Sequence, residues 1–197
     1  MGRRFALVFV SLLILAGCSG MGSSDKTPSN CTGDTAYLLN SKCQKLHWDS
    51  LPITLTFSDN IPQNVRVNTI KAAAEWENAA GKTLFAFDEL GGRSAEHLNM
   101  ITITAENQWE GAANENAKTF YLYEEQFLRQ TIISIRDRVI QTAGIDTFSV
   151  ILHELGHVLG LGHEETDRNS IMYPQLGMYE SARTLAPVDI ERLKTLY

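Results

Sequence analysis

Hydrophobic and polar positions change rhythm several times along this chain, and each change marks an element. Ile53, Leu55 and Phe57 alternate with Thr54 and Thr56, the two-residue period of a half-buried strand. Ser58-Asp59-Asn60 breaks that strand. Pro62 then opens a helix over 62–80, with Ile70, Ala73, Trp76 and Ala80 as its apolar stripe and Gly81 at its end. Short strands are predicted at 83–87 and 99–104, with Gly91-Gly92 between them. Two more follow at 118–123 and 131–135, rich in β-branched and aromatic residues. After Asp146, a good N-cap, the period turns helical over 147–159: Phe148, Ile151, Leu152, Leu155 and Leu159 share a core-facing side and leave the other side open. A last amphipathic helix spans 187–196, with Val188, Ile190, Leu193 and Leu196. The order predicts an α+β domain: a twisted mixed sheet of about five strands with helices on one side, and a small C-terminal lobe.

The N-terminal stretch has a different character. Arg3 and Arg4 precede an apolar run over 5–16, the layout of an export signal and too short for a membrane span. Leu15-Ala16-Gly17-Cys18 resembles a bacterial lipoprotein box, with Cys18 as the lipidated first mature residue; the alternative is ordinary signal cleavage nearby with Cys18 a chance thiol. Several acyl chains on Cys18 would anchor the chain stably. Ser19, where Asp would retain a lipoprotein at the inner membrane, fits an outer-membrane or cell-surface location. Residues 19–30, rich in Gly, Ser and Pro, read as a flexible tether with a reach of about 20 Å. Cys31 and Cys43 remain as an even pair outside the cytoplasm, which favours a disulfide. The division is therefore a signal peptide at 1–17, a lipidated, disulfide-closed lead at 18–45 and one catalytic-sized domain at 46–197. Of 197 residues, 44% are hydrophobic, with 17 basic against 23 acidic side chains. Removing Arg3 and Arg4 leaves 15 against 23, a net charge of −8, which speaks against nucleic acid as a partner and leaves a monomer as the expectation.

The open side of the 147–159 helix carries the candidate chemistry. His153 and His157 lie one turn apart on one face, so two ring nitrogens can meet one Zn²⁺. Glu154 is about 100° around the helix, placed to act on solvent beside the metal and not as a ligand. Gly160 can end the helix and let His163 return as a third ligand. Three neutral nitrogens, an open position and an adjacent carboxylate describe a catalytic zinc site. His-Glu-x-x-His arises by accident in about one chain in two hundred of this length; Gly160 and His163 at their offsets lower that to roughly one in a hundred thousand. His47 and His97 fall outside the pattern and read as surface histidines.

Met172 stands nine residues after His163, in Ser170-Ile171-Met172-Tyr173-Pro174. The combination of His153-Glu154-Leu155-Gly156-His157-Val158-Leu159-Gly160-Leu161-Gly162-His163 with this methionine resembles the metzincin metallopeptidases, and its wording is most similar to the matrixin branch. The C-terminal run from Asp189 to Tyr197 also resembles the matrixin terminal helix. Two features differ: Glu164 occupies a position where matrixins usually carry Ser and astacins Glu, and the spacing to Met172 is one residue longer. The resemblance implies a Met-turn floor at Met172 under His153, His157 and His163, with Glu154 as general base of a zinc endopeptidase. It also implies an extended peptide substrate added to a strand edge, placed at or near 118–123, and a specificity pocket walled around 174–179, including Leu176 and Tyr179. Structural Ca²⁺ is common in the family, but no acidic run here marks a site. An inhibitory thiolate from Cys31 or Cys43 on zinc is the alternative to their disulfide, though neither lies in a propeptide switch motif. Two rival readings stay open: a non-catalytic surface lipoprotein that binds a partner on this scaffold, and another zinc hydrolase acting on cell-wall peptides or as an aminopeptidase.

Overall fold

The computed structural model describes residues 19–23, 28–31, 35–88, 99–175 and 183–197. Cys18, His97, Leu176, Tyr179 and Gly91-Gly92 lie outside them. Six strands form one sheet: β1 (Ser19–Ser23), β2 (Ile53–Phe57), β3 (Phe85–Asp88), β4 (Asn99–Thr104), β5 (Ala117–Glu124) and β6 (Phe127–Arg136). Their order across the sheet is β1-β5-β6-β4-β2-β3. β2, β3, β4 and β6 run parallel, as crossover connections require, while β5 lies antiparallel to β6 through a tight link in which Glu125 takes φ 54°. The helices are α1 (Gln63–Ala80), the short α2 (Arg138–Gln141), α3 (Thr147–Val158) and α4 (Pro187–Leu196). Among the described residues, no helix is long and apolar enough to cross a membrane.

The mixed α+β sheet matches the expected architecture, with instructive differences. The inner face of α1 carries Val65, Thr69, Ala72, Ala73 and Trp76, whereas Ile70 is 45% exposed. A core face can include a threonine because its hydroxyl returns a hydrogen bond to Val65 O (2.9 Å), and Ile70 lies about 100° off that row. Trp76 is fully buried and donates its indole N–H to Leu152 O (2.9 Å), joining α1 to the histidine helix. The tether expected at 19–30 is in part a strand, since β1 pairs with β5 along the sheet edge. His47, expected at the surface, is half-buried and meets the Phe127 ring edge-on at 5.2 Å.

The lead before β2 is tied to the rest of the domain. Cys31 and Cys43 are disulfide-bonded, Cα–Cα 5.4 Å, which removes both thiols from contention as metal ligands. Buried Asn40 organises the loop: its Oδ1 accepts from Lys42 N and Gln44 N, and its Nδ2 donates to Glu125 O (2.7 Å). Residues 36–38 then run beside the turn after α3, through Leu38 N to Gly160 O and Gly162 N to Ala36 O, both 2.9 Å.

Candidate active site

α3 begins and ends for identifiable reasons. Asp146 accepts from Phe148 N and Ser149 N (both 3.3 Å) and from Ser149 Oγ (2.6 Å), satisfying the first-turn donors. At the other end Leu161 N bonds to Gly156 O and Gly160 N to His157 O, a Schellman ending that needs the φ of 93° found at Gly160. Two further terminal carbonyls are taken by side chains: Trp48 Nε1 donates to Val158 O (2.7 Å) and Tyr197 Oη to Leu159 O (2.9 Å). Burial raises the Tyr197 phenol far above its ordinary value, more than the hydrogen bond from Trp48 N lowers it, so the hydroxyl remains a donor.

The abrupt turn returns His163 to the two helix histidines. Ring centroids lie 4.6 Å (His153–His157), 4.9 Å (His157–His163) and 5.4 Å (His153–His163) apart, and one ligand atom from each falls within 4.8 Å of the others. Backbone carbonyls fix two of the tautomers. His153 Nδ1 lies 2.7 Å from Ile171 O and His157 Nδ1 2.8 Å from Leu161 O. A carbonyl can only accept, so each Nδ1 carries the proton and each Nε2 keeps its lone pair. Those two Nε2 atoms face each other at 3.0 Å. Two lone pairs at that separation repel, and a cation between them removes the conflict; tetrahedral zinc holds such nitrogens roughly 3.3 Å apart. The donor set therefore fits zinc. Burial, and then the positive charge that His153 and His163 would carry, hold the His157 pKa well below the ordinary imidazole range, which keeps it in the ligating form.

Glu154 is 4% exposed and lines the same cleft of about 380 Å³ as the three histidines. Its Oε2 accepts from Thr119 Oγ1 of β5 at 2.6 Å, across 35 residues of sequence. Asn116, Ala117, Tyr173 and Pro174 line the cleft as well. Met172 is fully buried, its sulfur against Gly156 of α3. The loop carrying it is held from α4: Asp189, itself fully buried, accepts from Ser170 Oγ (2.5 Å), Ile171 N (2.9 Å) and Ala186 N (2.8 Å). Ile171 thus donates to Asp189 and accepts from His153.

Glu164 accounts for the loop between His163 and Met172. Its Oε1 accepts from Thr166 N (2.6 Å), the Thr166 hydroxyl and Asp167 N (3.0 Å), and its Oε2 pairs with Arg192 of α4. Burial would raise its carboxyl, but the donors of Thr166 and Asp167 and the Arg192 charge outweigh it and hold the pKa below the usual carboxylate range.

The matrixin family model matches residues 46–197, most of the chain and all of its histidine site. This chain belongs to the matrixin family. As a matrixin it is 46% identical over 55 residues to matrilysin of Felis catus, a match covering 27% of this chain and 21% of that protein. It is 43% identical over 56 residues to metalloendoproteinase 2-MMP of Arabidopsis thaliana, covering 28% of this chain and 15% of the relative. These matches span about a fifth or less of the length of the curated relatives. A solved hatching-enzyme zinc protease from Oryzias latipes, high choriolytic enzyme 1, aligns over 83% of this matrixin and 98% of its own chain, at 15% identity and TM-score 0.44.

The fold brings His153, His157, His163, Glu154 and Met172 into one place. Of the wall expected at 174–179, Pro174 and Gln175 line the cleft, and the rest lies outside the described residues. Thr119 and Asp189 are the participants that sequence reading missed. Asp189 had a local signal, standing three residues after the helix N-cap where a carboxylate commonly turns back; Thr119 had none.

Proposed function

We propose that this matrixin is a zinc-dependent endopeptidase that cuts exported proteins or peptides, with Glu154 as general base and His153, His157 and His163 as metal ligands. The observation that carries the reading is the pair of opposed Nε2 lone pairs, each fixed by a carbonyl behind its ring, beside a buried carboxylate. Zinc held there supplies a Lewis acid that makes solvent acidic and polarises a carbonyl. Glu154 receives the proton lost by the attacking water and returns it to the leaving amine, and the Thr119 hydroxyl keeps its carboxylate aimed into the cleft. Ile171 O and Leu161 O hold the His153 and His157 rings edge-on and make them better donors. Lipid on Cys18 would keep the enzyme at a bacterial membrane, where its substrates are other extracytoplasmic chains.

The test is incubation of residues 19–197 with an unfolded protein, with and without a zinc chelator, and mapping of the new termini by mass spectrometry. Internal cuts abolished by chelation and restored by zinc are expected. Stoichiometric zinc binding without cleavage of any substrate would transfer the site to the partner-binding reading. Cys18→Ala should release the protein from the membrane fraction; retention in that fraction would dismiss the lipid anchor.

A further inference from the structure

An extended peptide adds to an exposed strand edge through backbone hydrogen bonds. The strand bordering the cleft is β5: Ala117 lines it and Thr119 touches Glu154. The distal part of its edge is already taken. β1 pairs antiparallel to it in unbroken register, from Ser23 against Phe120 to Ser19 against Glu124.

The pairing has a basis in the side chains that meet there. β1 reads Ser-Gly-Met-Gly-Ser, and its two glycines stand opposite Tyr123 and Tyr121. A Cβ on Gly22 would sit 2.5 Å from Tyr121 ring atoms, so the ring covers the space that a side chain would need. Tyr121 is 3% exposed, and its ring lies 6.2 Å from that of Tyr123. Aromatic rings over edge glycines restore the packing that glycine lacks, and they exclude strands with larger residues at those positions. The contact is therefore a fitted seat on the substrate-binding edge expected at 118–123.

We propose that β1 is a self-supplied occupant of the peptide-binding edge and sets the enzyme's reach along its substrate. This rests on the proteolytic reading above. A substrate laid in the same sense as β1 directs residues N-terminal to its cleaved bond along Phe120–Glu124. To use that edge it must displace about 17 Å of paired strand. The intact enzyme consequently gains nothing from N-terminal extension of a substrate along Phe120–Glu124.

Two variants test this without touching the histidine site: Gly22→Val, which collides with Tyr121, and deletion of 19–23. A nested series is made from one cleaved peptide, extended N-terminally by up to five residues. Extension should leave kcat/KM flat for the parent and raise it about tenfold, through KM, for both variants, with the shortest peptide unchanged. Equal response of parent and variants to extension overturns the proposal. A separate measurement needs no cleavage: a fluorescein-labelled peptide copying residues 19–27 should bind the zinc-loaded deletion variant and not the parent. Equal affinity for both, or binding to neither, also overturns it, whereas an enzyme that cuts nothing but discriminates in this binding assay loses only the proteolytic reading.

Discussion

Asp189→Ala should disable the site from a distance. The carboxylate is fully buried and accepts three hydrogen bonds, from Ser170 Oγ, Ile171 N and Ala186 N. Hydrogen bonds to a charged acceptor contribute about 1.5–3 kcal/mol each, and a buried donor left alone costs about 1–3 kcal/mol. Such terms do not add, and breaking a buried network usually costs about 3–5 kcal/mol, so about 4 kcal/mol is the expectation. Asp189→Asn keeps the volume but turns an NH₂ toward one of the donors, and should cost about 2 kcal/mol. The second effect passes through Ile171, whose carbonyl orients His153, and altering such an outer-shell partner typically weakens metal affinity by about 10–100-fold. Urea unfolding of the zinc-stripped domain gives the first number, and competition with a chromophoric chelator gives the second. Parental values for Asp189→Asn in both assays would refute the coupling of α4 to the metal site.

Glu154→Gln should retain zinc and stability while kcat falls by about 10³-fold or more, measured on any cleaved peptide; near-parental turnover would remove Glu154 from proton transfer. Thr119→Val keeps shape but deletes the hydroxyl bound to Glu154, and should lower kcat about tenfold at constant KM. Replacing Cys31 and Cys43 by Ser frees the loop they close and should cost about 3 kcal/mol in urea unfolding. Glu106 is held below its ordinary pKa by hydrogen bonds from Arg136, so the stabilisation it gives is present above its unfolded value and lost as pH falls through the lower folded one. Glu106→Gln should accordingly flatten the stability–pH curve below about pH 4.5, read by thermal melts.

What the sequence made legible was whatever is encoded within a turn or two. His153, His157, Gly160 and His163 act through fixed offsets on one helix and its ending, and Asp146 caps residues two and three positions on. The β2, β4 and α4 boundaries followed from periodicity for the same reason. Thr119 and Glu154 are 35 residues apart and meet because β5 crosses beneath α3, which no local pattern states. The seat of β1 was hidden by composition: Gly and Ser signal a tether until the tyrosines opposite them are known. Ile70 was misplaced because Thr69, satisfied by its own helix, took the inner position.

The manner in which α4 is joined to the rest has a consequence for how the metal site is assembled. Asp189 steadies the methionine loop, Arg192 meets Glu164, and Tyr197 closes a carbonyl at the end of the histidine helix. All three come later in the chain than the histidines they support. Until α4 has docked, the loop that aligns His153 lacks the hydrogen bonds of Asp189 and Arg192. A metal site built in this way is aligned only once the helix that follows it in the chain has packed.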